Sequence, residues 1–257
     1  MHPVLLKIGP LRIAAYGTML AVAFGVGIWL ARREARRLKM DPERVTDLGL
    51  VVLVCSVVLA RLVYVALHWH YFAGHPGEIV QVWTGGLSFH GGLLGGVLGV
   101  GVYARLSKLG FWRLGEVCTP SIPLGYAITR MGCFLNGCCY GAPTSLPWAL
   151  RFHLAPDRPE LTVPSHPAQL YASALSLVLF AALMRLRRRP HADGQLFAWY
   201  LMGYGLVRIV VEYFRRGVTA QVVWAGVTQA QLASVFLIVA GVLLSVWLGR
   251  GKKAKGK

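Results

Sequence analysis

Residues 13 to 31 read IAAYGTMLAVAFGVGIWLA, nineteen positions without a charged side chain, and residues 32 to 37 read RREARR. A helix on the surface of a soluble domain keeps one polar stripe. This segment has none, and its length approaches the ~20 residues that cross the hydrocarbon of a bilayer. A cleaved signal peptide carries its positive charge before the apolar core and a small-residue cleavage site after it. Here the dense charge comes after, so the segment is expected to be a retained transmembrane helix.

The same pattern recurs outward from this segment. Residues 45–69, 87–106, 116–134, 167–186, 195–214 and 228–248 are further apolar runs, and 116–134 is the shortest and most polar. The chain is 56% hydrophobic and 14% charged over 257 residues, against about a quarter charged in a soluble domain. The expected fold class is all-α: a polytopic integral membrane protein of seven transmembrane helices. One transmembrane domain covers 1–248, with a long loop over 135–166 carrying five prolines, and a basic cytoplasmic tail without regular structure covers 249–257.

Charge orients this bundle. With arginines at span ends counted in the adjoining loops, 18 of the 27 lysines and arginines fall on the side of the C-terminal tail. Six fall on the opposite side, and Arg61, Arg130 and Arg208 lie within spans. The positive-inside rule then places the N-terminus outside and the C-terminus in the cytoplasm. The net charge of +17 reads as basic loops against anionic headgroups, with no nucleic-acid partner. Trp29, Trp69, Trp83, Trp199 and Trp247 fall near span ends, where indoles favour the interface.

Charges inside lipid are costly and are normally turned inward and used. Arg208 and Glu212 are four residues apart, on one helical face. Three embedded arginines against one clear acid leave a surplus of positive charge. The anion at hand in a bilayer is a phospholipid phosphate, which suits the planar donor fork of arginine. His90 stands at the outer start of a run whose glycines recur every four residues, at 91, 95 and 99 and at 92 and 96, a helix-packing pattern. A neutral imidazole there has the basicity to accept a proton.

Residues 129–141, TRMGCFLNGCCYG, hold Cys133, Cys138 and Cys139. Structural thiols, a disulfide on the oxidising outer side and a metal site are all open readings. The stretch lacks the C-x2-C pairing of zinc motifs. Glycines 132, 137 and 141 beside Arg130 and Asn136 suit a headgroup and anion cradle rather than a metal site.

Five blocks in order carry a resemblance. They are Tyr16-Gly17, GGLSFHGGLLGG (85–96), TRMGCFLNGCCYG, HPAQLY (166–171) and YGLVRIVVEYFR (204–215). Together they resemble the prolipoprotein diacylglyceryl transferase family. The family signature carries glycine, asparagine and glutamate where this chain has Thr129, Cys133 and Cys138, and often a glutamate where Ala172 stands. The resemblance implies transfer of a diacylglyceryl group from phosphatidylglycerol to the lipobox cysteine of a prolipoprotein signal peptide. A thioether forms and glycerol 1-phosphate leaves, with no cofactor and no metal. It implies a multi-pass protein of the bacterial inner membrane, with membrane lipids around it and its site toward the outer half of the bilayer. On retained positions, the expected catalytic residues are His90 as base, Arg130 and Arg208 on the phosphate, and Glu212 orienting Arg208. Tyr16, Arg61, Asn136, Gly137 and Gly141 are expected to bind substrate. The rival reading is a transporter or channel for an anionic or lipid substrate, against which no inverted repeat is visible.

Overall fold

In the computed structural model, which describes residues 4–8, 11–153, 160–215, 222–224 and 227–255, each of the seven apolar runs is occupied by a helix. The first is α1, Ala15–Arg37, whose last turn carries Arg36 and Arg37, charges that favour the negative end of the helix dipole. It starts two residues later than its apolar run, because Leu11–Ala14 (β2) pairs antiparallel with Val4–Ile8 (β1). A second short hairpin, Val222–Trp224 (β3) with Val227–Thr228 (β4), also adds strand to a chain read as all-α.

The described residues, read from sequence as one domain, pack as two compact units: residues 31–117, and residues up to 30 together with those from 118 onward. In the first of these, α2 (Pro42–Leu67) opens on Asp41, whose carboxylate accepts from the Glu43 N–H at 3.0 Å, with proline following it. Such a cap satisfies one of the free N–H groups of a first turn. Arg32 closes the preceding turn by pairing with Glu43 at 2.6 Å and donating to Thr46 at 2.8 Å. After the short α3 (Trp69–Phe72), Ser88 caps α4 (Phe89–Ser107) by accepting from the Gly91 N–H at 3.3 Å. α4 packs on α2 through one glycine row only. A Cβ on Gly91 would lie 2.8 Å from Ala60 Cα, one on Gly95 2.7 Å from Ser56 Cα, and one on Gly99 2.9 Å from Val52 Cα. Gly92 and Gly96 have room, with nearest atoms at 3.8 and 3.5 Å. Backbone-to-backbone approach of this kind gives dispersion contact where lipid removes the hydrophobic drive between helices.

The short fourth run resolves into α5 (Phe111–Cys118) and α6 (Ser121–Asn136), separated at Thr119-Pro120. Proline has no N–H to continue the ladder. In the other unit, α6 packs on α7 (Ala168–Leu186), where Ser173 Oγ donates to Ala127 O at 3.0 Å. Leu183 of α7 forms a buried cluster with Leu196 and Tyr200 of α8 (Gln195–Tyr213). α8 meets α9 (Gln229–Lys255) where Gly241 sits against Met202 and Gly205 against Ser234 and Ile238. The expected unstructured tail is instead a continuation of α9 through Lys255. Alanine and lysine are good helix formers, and lysines favour a helix C-terminus. The last two residues lie outside the described residues.

Among the described residues, four helices are long and apolar enough to cross a membrane: α1, α2, α7 and the Gln229–Arg250 part of α9. α4 carries six glycines and α8 an internal Arg–Glu pair, which lowers their apolarity. α6, at 16 residues, is ~24 Å long against a ~30 Å hydrocarbon core. Val54, Leu93, Phe236 and Leu243 are exposed, whereas Glu34, Gln169, Ser176 and Glu212 are buried. Apolar outside and polar inside is the arrangement of a helical membrane protein.

Candidate active site

The cradle stretch is shaped by two glycines. α6 ends at Asn136 because Gly137 turns left-handed at φ 76°, its N–H donating to Phe134 O at 3.1 Å, while the Cys138 N–H donates to Cys133 O at 3.1 Å. Glycine takes this conformation without a steric penalty. Gly141 is required by proximity: a Cβ there would strike the Phe214 carbonyl and come within 2.8 Å of His166 Cβ. Around it the backbone is knotted. Gly141 N–H donates to His166 O at 2.8 Å, His166 N–H to Ala142 O at 3.0 Å, and Ala142 N–H to Phe214 O at 2.7 Å. The end of α6, the start of α7 and the end of α8 are thereby held together.

This knot determines which charges meet. Arg130, half-buried on α6, lies over the Tyr126 ring, 4.6 Å from its centroid. Tyr126 in turn meets Tyr204 of α8 edge-on at 5.7 Å. Arg208 Nη2 lies 2.9 Å from Glu212 Oε2, and Glu212 is almost fully buried. Arg208 Nη1 is buried with no hydrogen-bond partner. Arg215, just beyond α8, interacts electrostatically with Arg208, Cys139, Arg130 and Glu212. Burial, with Arg208 and Arg130 adding to it, lowers the Arg215 pKa, while Cys139 and Glu212 oppose the shift. Three guanidinium groups and one carboxylate therefore share a partly desolvated region with a surplus of positive charge, which an anion would relieve.

Tyr16, at the start of α1, is 41% exposed and interacts with Arg130 and the three cysteines. Gly132 brings α6 close to it, since a Cβ there would lie 3.3 Å from Tyr16 Cα. Asn136 hydrogen-bonds Cys138. The thiols of Cys133, Cys138 and Cys139 lie within 4.8 Å of one another and form a group able to hold a metal ion. Hydrogen bonds from Cys133 and Cys138 hold the Cys139 thiol below its usual range, against burial and with help from Arg130 and Arg215.

Tyr16, Arg130, Asn136, Gly137, Gly141, Arg208 and Glu212 thus belong to one unit, and His90 and Arg61 to the other. His90 is exposed in the first turn of α4, edge-on to Phe89 at 5.7 Å. Arg61 is buried, and its guanidinium donates to four carbonyls: Glu78 O at 2.6 Å, Ile79 O at 2.8 Å, Gly85 O at 2.8 Å and Gly86 O at 3.0 Å. It also lies over the Phe72 ring, 5.1 Å away. Four of its five N–H donors are thus taken up by these carbonyls. Sequence reasoning missed Arg215, which it counted among loop arginines; its position three residues after Glu212 was the available signal. It also gave no role to Gln169, whose Nε2 donates to Cys138 O at 2.7 Å.

The family model described as prolipoprotein diacylglyceryl transferase matches residues 3–247. Proteins named phosphatidylglycerol–prolipoprotein diacylglyceryl transferase are similar to this chain over most of its length. The one from Geobacillus kaustophilus is 40% identical over 259 residues, covering 98% of this chain and 93% of its own. Those from Synechococcus elongatus and Thermosynechococcus vestitus are each 38% identical, covering 96% and 82% of this chain and 87% and 80% of their own.

Proposed function

Since this chain belongs to the prolipoprotein diacylglyceryl transferase family, we propose that it transfers the diacylglyceryl group of phosphatidylglycerol to the lipobox cysteine of prolipoproteins. The substrate sulfur attacks a glycerol carbon, the S–C bond forms as the C–O bond to phosphate breaks, and glycerol 1-phosphate leaves. The observation that carries this reading is the group of Arg130, Arg208 and Arg215, with Arg208 paired to Glu212 and its buried Nη1 left without a partner. Charge develops on the departing phosphate, and donors already aimed there stabilise the transition state more than the ground state. Glu212 orients Arg208. Tyr16, Asn136, Gly137 and Gly141 shape the headgroup cradle, and His90 accepts the thiol proton. Arg61 acts mainly by holding the 78–86 loop. The transporter reading is not favoured by the relatives' names.

The same reading has seven spans, formed by α1, α2, α4 and α6 to α9, in the bacterial inner membrane. The N-terminus and the site lie toward the outer face. It is supported by helices at all seven runs and by the charge asymmetry of the loops. Purified protein in liposomes containing phosphatidylglycerol and a lipobox peptide should release glycerol phosphate and lipidate the peptide. Neither product should form with a Cys→Ala peptide. Peptide lipidation absent from correctly inserted protein would overturn the assignment.

A further inference from the structure

The geometry points to a thiolate metal site: we propose that Cys133, Cys138 and Cys139 together bind one thiophilic d10 ion, zinc or monovalent copper. Their three sulfurs lie within 4.8 Å of one another. Two thiolates on one ion, each at ~2.3 Å, stand ~3.8–4 Å apart at tetrahedral or trigonal angles. Closing on an ion therefore asks for side-chain shifts below about an ångström, within the reach of small χ adjustments.

The backbone already carries the cost of bringing the sulfurs together. Cys139 is one of three non-glycine residues with positive φ among the described residues, at 64°, and it follows Gly137 at 76°. A non-glycine residue in that region is uncommon and marks a local constraint. The double left-handed turn folds Cys138 and Cys139 back over the end of α6, where Cys133 stands. The turn is pinned from outside. Gln169, 1% exposed, donates to the Cys138 carbonyl at 2.7 Å, and the Cys138 N–H donates to Cys133 O at 3.1 Å.

Donor type and charge select the ion. Among the described residues the group contains no carboxylate and no imidazole, so it disfavours magnesium, calcium and manganese and favours soft ions. Three thiolates suit trigonal monovalent copper, or zinc with an exogenous fourth ligand such as water. Either complex is anionic, and Arg130 and Arg215 stand within electrostatic reach of Cys139 to offset that charge. The donor set is read from the three sulfurs of this chain alone. It stands whether or not the transfer reading holds, because its test reads binding.

The test uses detergent-purified full-length protein, reduced and stripped of metal under anaerobic conditions. In one arm cobalt(II) is titrated as a probe and then displaced by zinc; in the other, copper(I) is partitioned against a chromogenic chelator. The expected result is one ion per chain in at least one arm, with a thiolate-to-metal charge-transfer band that saturates at one equivalent. Each of Cys133→Ser, Cys138→Ser and Cys139→Ser should weaken binding by at least ~10²-fold, the upper end of what loss of a mere supporting residue costs. Cys55→Ser and Cys118→Ser should leave it unchanged. The decisive arm needs no variant. Wild-type protein that binds neither ion stoichiometrically overturns the proposal, as does a band that survives in the chain lacking all three cysteines.

Discussion

At the scale of single residues, the arginines differ in what surrounds them, and so should their variants. Arg208 keeps a buried Nη1 without a partner, whereas Arg61 has four of its five donors on loop carbonyls. Arg130→Lys and Arg208→Lys keep charge but lose the donor fork. Each should lower transfer per mole of folded protein by about 10²–10³, or ~2.7–4 kcal/mol, as for loss of one aimed donor. Glu212→Gln should be milder, since it removes the charge beside Arg208 but keeps a side chain of the same shape there. Near-normal specific activity in both lysine variants would refute the phosphate clamp. Arg61→Met should instead act on stability. It strands four carbonyls, each at a cost of about 1–3 kcal/mol where water cannot replace the donor. The thermal midpoint in detergent should fall well before specific activity does. An unchanged midpoint with lost activity would return Arg61 to the substrate. The sequence marked all three arginines as embedded and led to Arg130 and Arg208 on the phosphate and Arg61 on the substrate, but it gave no sign that Arg61 holds a loop. What distinguishes Arg61 is a loop 17 to 25 residues further along the chain, and such closure is not written in local spacing.

At the scale of helices, each apolar run was legible as helix, the fourth being divided between α5 and α6, because a long uncharged stretch leaves the backbone to satisfy its own hydrogen bonds. The ends were less legible. Pro120 breaks the fourth run, and β2 takes the first residues of the first. Glycine periodicity was legible as packing, but two rows were equivalent on paper, and only the partner helix chooses between them. The 91–95–99 row touches the α2 backbone and the 92–96 row does not. Gly95→Ala should therefore force α2 and α4 apart and destabilise the protein by ~1–3 kcal/mol, the usual cost of overpacking. Gly96→Ala, with 3.5 Å to Ser56 Oγ, should be tolerated. Comparable melting shifts for the two variants would show that the helices do not meet along that row. The converging thiols were hidden for a similar reason: C-x4-C-C is no standard spacing, and the left-handed Cys139 that folds it shut is visible only in three dimensions.

At the scale of the whole molecule, loop charge gives an orientation that can be checked directly. Reporter fusions after Lys108 and after Arg189 should read as cytoplasmic, and one within the 143–150 segment as external. The reverse pattern would invert the topology and move the proposed site to the inner face. The knot at Gly141 also has a consequence in time. The Ala142 N–H finds its acceptor at Phe214, roughly seventy residues later, and synthesis at about 5–20 residues per second separates the two by several seconds. In the proposed topology, α6 and the turn after it therefore wait through that interval for the end of α8 that closes the knot. On that topology the Ala142 N–H has no acceptor at Phe214 until the sixth run has been made, so the first half of the protein must be held unfinished while the second is synthesised.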